Sequence, residues 1–340
     1  MRLTALAALP VLAAPAVAQD FATEAGDGTI VIEEWTVPYE TSRPRDPYTV
    51  DGDTIWFVGQ VTDYIASFDV SEAEFSKVDL QDGDGPHNLI VEPDGQAVWY
   101  AANRAAHVGR YDVETGEFER VMMPDGHPED PHTMIFDAQG DIWFTGQGAN
   151  TVSKLDVSER TVETLEVPTP DARPYGIKIA EDGTVWVVLL GTNKLASIDP
   201  GTMALTEHEL PREESRPRRL AITDDGRIWY TDYAGSRVGV FDPATQEVND
   251  WLTPSGEGSR PYGMARDGEG RLWLVETGVQ PNAFVGFDPE TEAFVSNTEV
   301  PSGGGTVRHM EYYAPDGVIW FGADTNTIGR AIVEPARFDD

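Results

Sequence analysis

The chain has 340 residues, with 59 acidic against 24 basic side chains and a formal charge of −35, which excludes the basic surface that nucleic acid or an anionic membrane requires. It has no cysteine, so no disulfide framework, thiol nucleophile or zinc–thiolate site can form. A hydrophobic fraction of 40% with nine Trp residues implies a packed fold, and acidic residues scattered through turns imply a heavily solvated surface.

The first segment reads as a secretory leader: Arg2, the apolar stretch "LTALAALPVLAAPAV" and the small-residue site "AVA" before Gln19. It is too short for a membrane span, and no later stretch approaches one. The expected product is a soluble periplasmic or secreted protein, cleaved after Ala18 and monomeric, with residues 19–340 forming one domain. Next comes "TIVIEEWTVP", residues 29–38, an isolated strand ahead of the first full repeat.

From there the chain repeats. Trp56, Trp99, Trp143, Trp186, Trp229, Trp273 and Trp320 lie 43, 44, 43, 43, 44 and 47 residues apart. Each follows a turn ending in Gly (Gly52, Gly95, Gly140, Gly183, Gly226, Gly270, Gly317). Most are followed by a strand closed by Asp, as in "HVGRYDVETGEF" and "RVGVFDPATQEV", where Asp favours a turn by bonding its own backbone. Each repeat is therefore four short strands, and seven such units of about 43 residues predict an all-β, seven-bladed β-propeller. The Trp residues are expected to pack between blades. The last repeat runs out after three strands, so the N-terminal strand is expected to complete the seventh blade and close the ring, removing an exposed sheet edge.

The first strand of each repeat should line the central channel. Its entry position, after a Pro in most repeats, reads Tyr48, His87, His132, Tyr175, Arg218, Tyr262 and His309, with Arg308 in place of Pro in the last. Such a ring makes a polar funnel, the default ligand site of the fold. A second set, three and four residues after each Trp, includes Gln147, Asp232 and Glu276. His87, His132 and His309, with Gln147 or Glu276 adding oxygen, could hold a divalent metal (Mg, Mn, Zn or Ca), and no organic cofactor is expected. The plainer alternative is a set of hydrogen-bonded histidines in a wet channel. His107, His127 and His208 read as surface residues. Arg173, Arg216 and Arg260 precede the Pro of repeats four to six, and Arg218 and Arg219 follow, a concentration suited to clamping a carboxylate.

"RPYGIKIAEDGTVWVV", "RPYGMARDGEGRLWLVE" and "NTIGRA" resemble the repeat of the streptogramin (virginiamycin B) lyases, and the resemblance covers essentially the whole mature chain. It implies a seven-bladed propeller and an elimination reaction assisted by magnesium. In that family a catalytic His stands fourteen residues before a metal-binding Glu, with a second acidic ligand two residues before the His. Here Glu276 matches the Glu, but Tyr262 stands at the His position and Arg260 at the second acid. Streptogramin cleavage is therefore not the expected activity. The expected function is a lyase or lactonase acting on a carbonyl-containing, ester or anionic small molecule. His87, His132, Tyr262 and His309 are its catalytic candidates, and Tyr48, Tyr175, Arg173, Arg216, Arg218 and Arg260 would hold the substrate. A non-catalytic ligand-binding propeller is the alternative.

Overall fold

Each of the seven repeat Trp residues lies in the second strand of an antiparallel sheet, with four strands in five sheets and a short fifth in the other two, in the computed structural model, which describes residues 12–13, 21–23, 28–124 and 130–334. The seven sheets follow one another in chain order. Their first strands are Pro44–Tyr48, Pro86–Val91, Pro131–Phe136, Pro174–Ile179, Pro217–Ile222, Pro261–Arg266 and Val307–Tyr313. Each of these touches the first strand of the next blade, and the seventh returns to the first, so together they line the axis of a closed seven-bladed propeller.

The local reasons are those the repeat suggests. All seven turn glycines have positive φ, from 64° at Gly317 to 89° at Gly183, a region costly for other residues. Asp69 accepts the amides of Ser71 (2.9 Å) and Glu72 (3.0 Å), and Asp112, Asp156, Asp199, Asp242 and Asp288 cap equivalent turns. Each repeat Trp packs in a cluster shared with the following blade: Trp143 with Ile177 and Val187, Trp229 with Met264 and Leu274, Trp320 with Phe57 and Phe68. The core is thus seven interfaces between sheets, each burying side chains worth about 1.5–3 kcal/mol apiece.

Closure is as expected. Val31–Thr36 pairs antiparallel with Thr327–Ile332, from Val31 opposite Ile332 to Thr36 opposite Thr327, and supplies the outer strand of blade seven. Phe21–Ala22 adds a short strand outside it. The expected leader lies outside the described residues apart from Leu12–Ala13, whose backbone pairs with Ser76 and Lys77 on the outer strand of blade one. No helix among the described residues is long and apolar enough to cross a membrane.

Candidate functional site

The innermost strands share a device that builds the channel end. Each opens with a residue paired to the second strand: Pro44 to Gly59, Pro86 to Ala102, Pro131 to Gly146, Pro174 to Leu189, Pro217 to Asp232, Pro261 to Glu276 and Val307 to Ala323. The register then shifts in every blade, directly after this residue in six of them and one residue later, after Arg45 opposite Val58, in blade one. A bulge of this kind re-aims side chains that a regular ladder would alternate between the two faces of the sheet.

The first position after the opening residue carries Arg45, His87, His132, Tyr175, Arg218, Tyr262 and Arg308, and the second Asp46, Asn88, Thr133, Gly176, Arg219, Gly263 and His309; all but Arg45 fall in the bulge. Two sequence expectations are corrected here. Tyr48 lies opposite Trp56, beyond the bulge, and packs between the cores of blades one and two and of two and three; Arg45 occupies its expected place. His309 stands at the second position, with Arg308 at the first, because the turn before Trp320 is one residue longer than in most blades.

The side chains so gathered form one buried cluster. The Tyr175 and Tyr262 hydroxyls hydrogen-bond to each other. The Arg218 guanidinium lies 3.6 Å from the centre of the Tyr262 ring, 4.3 Å from Tyr233 and 5.0 Å from Tyr175, and Arg219 lies 4.9 Å from Tyr175. Arg45 Nη1 donates to Gln60 Oε1 (3.2 Å) and to His87 Nε2 (2.7 Å), so the His87 proton sits on Nδ1. His132 lies against His87 with ring centres 3.6 Å apart and against Tyr175 at 4.5 Å, tilted to both. Its Nδ1 lies 2.9 Å from Thr133 Oγ1, which accepts from Arg219 Nη1 at 3.1 Å. Asp46 Oδ2 accepts from Asn88 (2.9 Å), while its Oδ1 is 3.6 Å from Arg45 Nε.

Charge sets the proton affinities. Burial pushes the Tyr175 phenol up, but Arg218, Arg219 and Arg45, with the hydrogen bond to Tyr262, pull it down to about 8. Burial and the neighbouring Tyr175 push Tyr262 up to about 12. Burial and the surrounding arginines hold His87 and His132 well below the usual histidine range, so both are neutral near pH 7. Burial would raise Asp46, but Arg45, His309 and Arg219 keep it below the usual carboxylate value. Several buried polar atoms have no hydrogen-bond partner: Arg45 Nε and Nη2, Arg218 Nε, Arg219 Nη2, His87 Nδ1 and Asp46 Oδ1. All but the last are donors.

The remaining candidates are spread more widely. Arg173 and Arg260 are exposed at the rim, immediately before the Pro of their blades, whereas Arg216 donates to the carbonyls of Glu213 and Ser215 in its own loop. His107 corrects a further expectation: it is buried in the third strand of blade two, 4.0 Å from Asp84. His208 is half-buried against Trp186, and His127 lies outside the described residues. Arg45, Asp46 and Asn88 were not among the candidates the sequence offered, while Tyr233 stood in the second set, four residues after Trp229. Arg45 was within reach of the sequence pattern, because it stands eleven residues before Trp56, as His132 does before Trp143.

The model of the virginiamycin B lyase family matches this chain twice, over residues 23–198 and 160–336. The chain belongs to the virginiamycin B lyase family. Among solved structures it is similar to a streptogramin B lyase, with 21% identity and a TM-score of 0.78 over 88% of this chain and 96% of that one. The virginiamycin B lyase of Staphylococcus aureus gives 19% and 0.78 over 88% and 98%. A catalytically inactive variant of that enzyme with quinupristin gives 20% and 0.77 over the same shares. At these identities the likeness concerns the fold. No curated protein matches the chain by sequence.

In this member of the virginiamycin B lyase family the residues do not fit a divalent cation. Among the described residues no three His, Asp or Glu side chains are grouped to hold one. Glu276, fully buried, accepts the Ser255 amide (3.0 Å) and the Ser255 hydroxyl, and so anchors a loop between blades five and six. Glu311, 3.7 Å from His309, is also 3.9 Å from Lys178, near the far end of the innermost strands. His87 and His132 face three buried or half-buried guanidinium groups, which repel a cation at short range. Gln147 is half-buried.

Proposed function

We propose that the protein is a lyase that binds an anionic, carbonyl-containing small molecule at this end of the channel and eliminates a group from it by proton abstraction. The observation that carries the reading is the ring of buried guanidinium N–H groups of Arg45, Arg218 and Arg219, without partners, around the Tyr175–Tyr262 pair. A buried donor left unmade costs about 1–3 kcal/mol, which an anionic ligand would recover. Arg218 is only partly buried and covers Tyr262, so entry of the ligand draws this guanidinium off the ring and onto the anion.

Tyr175, as phenolate, takes the proton on the carbon next to the carbonyl. The electron pair passes to an enolate stabilised by Arg45 and Arg218, then forms the C=C bond as the C–O bond to the β leaving group breaks. Tyr262 gives its proton to the departing oxygen and recovers one from Tyr175 through their shared hydrogen bond. The products are an unsaturated carbonyl compound and an alcohol, or a carboxylic acid where the leaving group is acyloxy, and the pair is reset. The family's named lyases support this reaction class, while Tyr262 and Arg260 at the family's His and acid positions argue for a different substrate and base. The leader-like residues support export, and N-terminal sequencing of the mature protein should begin at Gln19.

The test is a panel of β-alkoxy and β-acyloxy carboxylates and lactones, followed by the ultraviolet absorbance of the conjugated product. Turnover should rise with pH and be half-maximal near about 8, because the base must be ionised, and Tyr175→Phe should lower it by about 10²-fold or more. Turnover that survives Tyr175→Phe overturns the assignment of the base. Ligand binding with no turnover at any pH overturns the enzyme in favour of a binding module.

A further inference from the structure

The same end of the channel holds its arginines in two tiers. The inner tier lies at the bulge: Arg45 and Arg219 are buried, Arg218 and Arg308 are half-buried, and two carboxylates pair with them, Asp46 beside Arg45 and Asp324 on Arg308. The outer tier lies two residues nearer the mouth in blades four and six, where Arg173 and Arg260 are exposed. Their backbones have φ of 53° and 50°, a conformation unusual for arginine. Neither of them makes an ion pair among the described residues, although this chain has more than twice as many acidic as basic side chains. By contrast, on the other side of the mouth Arg308 is neutralised by Asp324 at 2.7 Å, and Arg43 approaches the same carboxylate at 3.6 Å.

The charge balance of each tier sets what it can hold. With Arg45 matched to Asp46 and Arg308 to Asp324, the inner tier has two free guanidinium charges, on Arg218 and Arg219. Above about pH 8, where Tyr175 is ionised, its phenolate compensates one, and a single acidic group on the ligand compensates the other. In the outer tier Arg216, at the same position of blade five, is turned onto the carbonyls of Glu213 and Ser215, which leaves the exposed Arg173 and Arg260 without an anion among the described residues. We infer that the substrate is a small dicarboxylate, one acid group seated against Arg218 and Arg219 and the second held at the mouth by Arg173 and Arg260. This rests on the anion-binding reading of the channel end and adds the number and placement of the ligand's charges.

Calorimetric titration of the full mature protein with glutarate and with butyrate tests it, beside an Arg173→Asn, Arg260→Asn double variant. Asn suits the left-handed backbone at both positions, so the fold is retained, and an unchanged melting curve checks this. Glutarate should bind at least tenfold more tightly than butyrate, and the double variant should reduce glutarate to the level of butyrate while leaving butyrate unchanged. Equal affinities in the native protein, or a preference that survives in the variant, overturn the second acid group and leave the anion site standing. Failure of both probes to bind overturns the anion site as well.

Discussion

His87 and His132 lie ring against ring, 3.6 Å between centres, under the charges of Arg45 and Arg219. Two imidazolium ions could not share that space, so the folded protein binds protons here only at a pH well below 6.5, whereas the unfolded chain binds them near it. The sign follows: with the folded value depressed, stability is full above the unfolded pKa and falls as the pH drops below it. The loss approaches about 1.4 kcal/mol per pH unit for each histidine. Urea denaturation at about pH 7.5 and about pH 5.5 should show that a His87→Gln, His132→Gln double variant loses less stability on acidification than the native protein. Identical acid slopes would mean that the imidazoles are not held neutral. The reading of these histidines as hydrogen-bonded groups in a channel was open in the sequence. Their neutrality was not, because Arg45 and Arg219 arrive from other blades.

At the scale of the strand, the bulge decides which side chains reach the axis. Gly176 holds its second position in blade four, where the backbone of blade five passes so close that a Cβ would meet Arg218 O at 2.9 Å and Arg219 Cα at 3.0 Å. Gly176→Ala should therefore destabilise by about 1–3 kcal/mol and displace both arginines, weakening anion binding beyond what the melting shift explains. A variant with native affinity would show that the close approach does not position them. Glu276 gives the complementary case: Glu276→Ala strands the Ser255 amide and hydroxyl and should cost about 1–3 kcal/mol while leaving anion binding intact. Loss of binding without loss of stability would return Glu276 to the site. Strand order and blade boundaries were legible because Trp, Gly and Asp recur at fixed offsets. The site was legible only in part, since a bulge leaves no mark in composition. Counting from Pro47 put Tyr48 in the ring where Pro44 places Arg45, and an extra turn residue in blade seven hid Arg308 behind His309.

At the scale of the whole molecule, the arginine-rich end of the channel is an electropositive feature on a chain of formal charge −35, and it exists only while the ring is shut. The seventh blade is the clasp, made from both ends of the chain. Val31–Thr36 brings Ile32 and Trp35 into it, buried to 0% and 5% exposure, and Val37 follows at 2%. Glu34 accepts from the Ser302 amide (2.7 Å) and hydroxyl (2.7 Å) and from Thr327 Oγ1 (2.6 Å), and Asn326 donates to the carbonyls of Val37 and Tyr39. The three apolar side chains alone are worth about 4–9 kcal/mol by burial. Their removal would also strip the edge of Thr327–Ile332 and leave Ser302 without its acceptor. A protein beginning at Thr29 should melt close to the mature protein, whereas one beginning at Tyr39 should melt lower by about 10 °C or more and lose anion binding together with its fold. A synthetic peptide spanning residues 29–38, added to the shorter protein, should recover part of both. If the protein beginning at Tyr39 melted at the native temperature, the outer strand would be decoration on a ring that closes through its inner strands alone. Trp35→Ala separates those cases within the intact chain: a clasp predicts a cost of about 3–5 kcal/mol, and a decorative strand almost none.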